Sequence, residues 1–112
     1  MHEFSIAESM MESITSAVGP TKKLSRVFVT IGPLAGIAPD ILSFCFPEVC
    51  NLHNMGKPEL VVTKVPVRLQ CGACKAEYEA GDLFSGCPSC QSLERTILSG
   101  REFRIDSVEV EE

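Results

Sequence analysis

Two Cys-x2-Cys pairs, Cys71-Gly72-Ala73-Cys74 and Cys87-Pro88-Ser89-Cys90, stand twelve residues apart in the C-terminal half of the chain. No other feature limits the fold as strongly, because this spacing lets two tight turns aim four sulfurs at a single ion. With every tetrahedral position filled by thiolate there is no room for water or substrate, so the expected zinc ion holds structure and performs no reaction. Four thiolates also suit iron, as in a rubredoxin-like electron carrier, but such a carrier does not need the other 70 or so residues, roughly counted. The function is therefore sought elsewhere in the chain.

The alternative use of six cysteines is a secreted disulfide scaffold, which wants a signal peptide. The N-terminus has neither a basic segment nor an unbroken apolar core, and no apolar run approaches the roughly 18 to 20 residues that cross a bilayer. The expectation is a cytoplasmic protein with reduced thiols and no membrane association. A net charge of −5 and a pI near 5.0 argue against nucleic acid as a partner. Around the cysteines the charges balance: Arg68, Lys75, Arg95, Arg101 and Arg104 face Glu77, Glu79, Asp82, Glu94 and Glu102.

Ser5-Ile6-Ala7-Glu8 reads as a capping box that starts a helix. Its apolar stripe is Ala7, Met10, Met11, Ile14, Ala17 and Val18, and Gly19-Pro20 ends it. Leu24 to Ile31 carries apolar groups in both phases, as a central strand does. Pro39 suits the first position of a second helix and Asp40 its first turn, where the helix dipole favours a carboxylate. Ile41, Leu42, Cys45, Phe46 and Val49 form its apolar face, Pro47 should shorten or kink it, and 51–58 reads as a polar loop. Leu60 to Val65 and Glu102 to Val110 complete a sheet, the latter with a phase slip near Ser107 and Val108 of the kind a bulge gives. The expected fold is α+β: two helices on a small three-stranded sheet, with a four-cysteine zinc ribbon inserted before the last strand.

An enzyme is not expected. The four-thiolate site is closed, there are only two histidines and no Ser-His-Asp order, and a thiol oxidoreductase would place one reactive pair at a helix start. Met1-His2-Glu3 offers a different chemistry. A histidine beside a chain end is usually solvated, yet the α-amine, the intervening amide nitrogen and the imidazole can chelate one ion, an arrangement favoured by nickel(II) and copper(II). Cys45 and Cys50 point in different directions on a helix and read as inert thiols, and His53 as a surface residue.

Met1-His2-Glu3-Phe4-Ser5, Ile31-Gly32 leading to Pro39-Asp40, the strand from Leu60 to Pro66, the four ribbon cysteines and Gly100-Arg101-Glu102-Phe103 together resemble the HypA/HybF family of hydrogenase-maturation nickel metallochaperones. The resemblance spans essentially the whole chain. It implies a nickel-binding domain of residues 1–66 plus 103–112 and a zinc domain of residues 67–102. Nickel would bind through His2, with the Met1 amine, the Glu3 backbone nitrogen or side chain and the Asp40 carboxylate as contributors. Zinc would be held by Cys71, Cys74, Cys87 and Cys90. The implied partners are the HypB GTPase and the precursor of a nickel-iron hydrogenase large subunit. The competing reading is a zinc-ribbon adaptor for protein interactions that handles no nickel.

Overall fold

The structure, a computed structural model, describes residues 2–80 and 86–111. In chain order the elements are α1 (His2–Val18), β1 (Leu24–Ile31), α2 (Pro39–Leu52), β2 (Glu59–Lys64), β3 (Val67–Cys71), β4 (Glu77–Ala80), β5 (Arg95–Ser99) and β6 (Phe103–Val110). They form an α+β fold of two helices and two three-stranded sheets. The chain divides into one unit of Met1–Thr30, Ile37–Thr63 and Arg104–Glu112 and another of Ile31–Gly36 and Lys64–Phe103. The segment 31–36, distant in sequence from the cysteines, thus belongs to their unit.

In the first unit β1 lies between β2 and β6, the central place its sequence predicts. Val27 and Val29 are fully buried, and Thr30, in the opposite phase, is also buried. A buried hydroxyl needs a partner. The Thr30 hydroxyl donates to Asp106 Oδ2 at 2.6 Å, while Arg104 Nε donates to Asp106 Oδ1 at 2.9 Å. Helices α1 and α2 pack on each other, burying Ala7, Met10, Met11 and Ile14 from the first and Leu42, Phe46, Val49 and Cys50 from the second. Ala17 and Ile41, expected on the buried faces, are exposed.

Both helices depart from their expected bounds. α1 begins at His2, so Ser5 and Glu8 are exposed residues within it and the capping box is not used. A tertiary contact takes its place: the Ala38 N–H, at the N-cap of α2, donates to Glu3 Oε2 at 2.9 Å. Pro47 neither ends nor shortens α2, which runs on to Leu52. An interior proline costs about 3 kcal/mol, whereas full burial of side chains such as Val49 returns about 1.5–3 kcal/mol each. Val49 and Cys50, both fully buried beyond the proline, tip that balance toward the helix. Gly19, at φ +94, ends α1 with its N–H donated to the Thr15 carbonyl, and Asn54, at φ +60, follows the α2 cap at His53.

The second unit is built on β3, which pairs antiparallel with β4 (Val67 opposite Ala80) and with β5 (Leu69 opposite Ile97). β4 and β5 are not evident in the sequence, because they are short and bury few side chains, whereas β3 carries a strand alternation in its buried Val67, Leu69 and Cys71. Among the described residues its core comprises Val67, Leu69, Cys71, Tyr78 and Cys87, with Leu34 and Ile97 against it. A unit this short ordinarily requires a metal or disulfides to persist. Leu34 arrives through a backbone clasp in which Gly32 N–H donates to the Glu102 carbonyl at 2.7 Å and Leu34 N–H to the Gly100 carbonyl at 2.6 Å. No helix among the described residues is long and apolar enough to cross a membrane.

Candidate metal centre

Each cysteine pair closes a knuckle of the same construction. The Cys71 N–H donates to the Ala76 carbonyl and the Cys87 N–H to the Ser92 carbonyl, five residues on in both cases. Inside these rings Lys75 N–H returns to the Cys71 carbonyl and Gln91 N–H to the Cys87 carbonyl. The left-handed turn falls on Lys75 (φ +67) and Gln91 (φ +64), the residues just after each pair. Gly72 itself lies within the first of these turns. It permits a close approach, since its N–H donates to the Glu94 carbonyl at 2.9 Å and a Cβ there would stand 3.1 Å from Glu94 Cβ.

The two knuckles bring the four sulfurs within 4.8 Å of one another. Cys71 Sγ is 3.5 Å from Cys90 Sγ, and Cys74 Sγ is 3.6 Å from Cys87 Sγ. A tetrahedron with metal–sulfur bonds of about 2.3 Å has edges of ~3.8 Å, so the residues present fit a four-coordinate thiolate ion. Backbone amides point at the sulfurs: Cys74 N–H and Ala73 N–H donate to Cys71 Sγ, and Ser89 N–H to Cys87 Sγ.

These amides unbalance the thiols. The Cys74 amide, then that of Ala73, draws Cys71 down to about 6 against the opposing push of burial. Burial raises Cys87, but the Cys90 and Ser89 amides outweigh it and the net shift is downward. Cys90, although the Ser92 amide favours its thiolate, is pushed up to about 12, first by its contact with Cys71. One thiol ionises at its neighbour's expense, so four thiolates coexist here only around a cation. Cys45 and Cys50 lie outside this cluster, and burial pushes the Cys50 thiol up to about 11, as suits an inert core thiol.

At the other end of the sequence, Met1 and the His2 side chain lie outside the described residues, and the His2 backbone opens α1. Glu3, half-buried, reaches across 35 positions to the Ala38 N–H, and Asp40 stands exposed in the first turn of α2, two residues beyond Ala38. The first turns of the two helices are thus held side by side. No sequence signal announces this contact, because nothing local to Glu3 specifies a partner 35 residues away.

The position has two chemical consequences. The first four N–H groups of a helix have no intrahelical partner, so an amide nitrogen in the opening turn of α1 can ligate a metal without breaking a helical hydrogen bond. Two helix N-termini also place positive partial charge there, so a cation needs anionic ligands to offset it, of the kind Asp40, Glu3 or a deprotonated amide supplies.

Residues 1–110 match the family described as hydrogenase/urease nickel incorporation, metallochaperone, hypA. The protein named hydrogenase maturation factor HypA from Chlorobium limicola is 37% identical, over 100% of this chain and 98% of its own length. That from Geobacter metallireducens is 36% identical, over 99% of this chain and all of its own. In fold, the chain is similar to the solution structure of the Ni metallochaperone HypA from Helicobacter pylori, with a TM-score of 0.59 and 22% identity over 96% of both chains. A family match along nearly the full length, with relatives above 30% identity, is decisive: the chain belongs to the HypA family.

Proposed function

We propose that this chain is a cytoplasmic nickel metallochaperone that binds Ni(II) at its N-terminus and delivers it to the precursor of a nickel-iron hydrogenase large subunit, with the HypB GTPase as its working partner. The ligands are the His2 imidazole and the Met1 amine, with the Glu3 backbone nitrogen or carboxylate and the Asp40 carboxylate. The observation that carries this reading is the Glu3 to Ala38 hydrogen bond, which holds the start of α1 beside the helix turn that bears Asp40. Family membership supplies the cargo.

Such a site suits a carrier. Amine and amide nitrogens must lose protons to bind, so affinity falls with pH, and a partner can take the ion by exchanging ligands one at a time. Zinc(II) at Cys71, Cys74, Cys87 and Cys90 is structural, and nickel is cargo. Residues 1–66 plus 103–112 then serve as the nickel domain and residues 67–102 as the zinc domain.

The test is nickel titration of zinc-loaded wild-type protein and of His2→Ala, with both metals quantified. The variant should lose the tight nickel equivalent and keep its zinc. Wild-type nickel binding by His2→Ala would remove the N-terminal site from the account and favour an adaptor that handles no nickel there.

A further inference from the structure

Away from the cysteines and the N-terminus, four residues with metal-ligating side chains line one cavity of about 160 Å³: Glu8, Met11, Glu12 and His53. Glu8, Met11 and Glu12 are three and four positions apart on α1 and so share one helix face. His53 is the C-cap residue of α2, 41 positions beyond Glu12 in the chain. All four belong to the first unit. A second cavity of about 480 Å³ is also lined by Met11, Glu12 and His53 and extends over Thr15 and Met55. Thr15 Oγ1 lies 3.4 Å from Met11 Sδ and 3.2 Å from Met55 Sδ and shares its one proton between them, so two thioethers gather around one hydroxyl in this larger cavity.

The electrostatics favour a cation here. Glu8 and Glu12 place like charges one helical turn apart, which is unfavourable unless something offsets them. α1 contains no Lys or Arg, and neither glutamate has an ion-pair partner among the described residues. His53 sits at the C-terminal end of α2, where the helix dipole is negative and a cation is stabilised. Asp40 stands at the opposite end of α2, in its first turn. Donor chemistry narrows the ion: an imidazole and a thioether are poor ligands for Mg(II) or Ca(II), two carboxylates are poor for Cu(I), and the mixed set suits late first-row divalent ions.

The geometry points to a second metal site in this chain, formed by Glu8, Glu12 and His53 with Met11 at its floor, that takes a divalent ion of the Ni(II) class. Unlike the four cysteines, these residues are not gathered into a tight ligand cluster, and Glu8, Glu12 and His53 are exposed, so their side chains must turn inward to close on an ion. Ordering three exposed side chains opposes binding, so this site is the weaker and faster-exchanging of the two. It stands independently of the N-terminal assignment.

The experiment uses the full zinc-loaded chain and Ni(II) itself as the probe, with nickel and zinc content measured at equilibrium and paramagnetic broadening of amide resonances recorded. Four proteins are compared: His2→Ala, His53→Ala, His2→Ala with His53→Ala, and His2→Ala with Glu8→Gln and Glu12→Gln. His2→Ala should retain a weak nickel equivalent whose broadening centres on Met11, Glu12 and His53, and both combined variants should lose it. His53→Ala alone should keep the tight equivalent. The proposal is overturned if His2→Ala retains no nickel, if the retained nickel ignores His53 and the two glutamates, or if nickel uptake matches zinc loss. If His2→Ala binds like wild type while His53→Ala loses its nickel, the N-terminal assignment fails and this one holds.

Discussion

Gly32→Ala tests the backbone clasp that ties segment 31–36 into the four-cysteine unit. A Cβ on residue 32 would stand 2.2 Å from the Gly100 carbonyl oxygen, 2.3 Å from its carbon and 2.9 Å from Arg101 N. These distances are roughly 1 Å short of an ordinary van der Waals separation, so backbone has to move. Gly100 has little freedom to yield, being buried at φ +123 with Val67 and Leu34 close around it. The move lengthens two hydrogen bonds of 2.7 and 2.6 Å past useful range. Overpacking costs about 1–3 kcal/mol and each lost bond about 1 kcal/mol, so the substitution should destabilise this unit by about 3–5 kcal/mol. The chain has one tyrosine and no tryptophan, and Tyr78 lies in the core of that unit. Urea unfolding of the zinc-loaded protein followed by tyrosine fluorescence therefore reads it directly, with an unchanged slope confirming that stability alone has altered. A loss below about 1 kcal/mol would refute the reasoning, since it would mean that Gly32 and Gly100 separate without consequence.

Two further outcomes follow from the fold. Chelating zinc should abolish the native Tyr78 signal yet leave the helical circular dichroism, because both helices lie in the other unit and a structural zinc contributes about 10–16 kcal/mol to small folds; a tyrosine signal indifferent to zinc removal would contradict a metal-dependent core. Asp106 lies below its ordinary 3.8, held there first by the Thr30 hydroxyl and, against burial, by Arg104. A lowered carboxyl pKa adds stability that is present above the ordinary range and lost as pH falls through the lowered value, so Thr30→Val should raise the Asp106 pKa in a carbon-13 titration and lose stability at neutral pH more than at acid pH. An unmoved Asp106 titration would show that the hydroxyl does not set it.

Local chemistry made most elements legible. The spacing of Cys71, Cys74, Cys87 and Cys90, the doubled valine phase of β1 and Pro39 at the start of α2 each act over a few residues, and each is found in the structure. Errors arose where a distant contact outweighs a local preference. The capping box at Ser5 is passed over because Glu3 ties the first turn of α1 to Ala38. Pro47 is tolerated because Val49 and Cys50 are buried beyond it. The left-handed residues Lys75 and Gln91 were equally unannounced, because the ring from each first cysteine to the residue five positions on sets them.

The sequence by itself determined that four thiols would meet, since two short turns suffice to aim them, and that the remaining segments would alternate between helix and strand. Only the tertiary structure decided that Gly32 and Gly100 touch and that Glu3 holds the start of α2. It alone placed His53 beside Glu8 and Glu12. In each case the partners lie tens of residues apart, and only the packing of helix on helix or of one chain segment on another brings their atoms within reach.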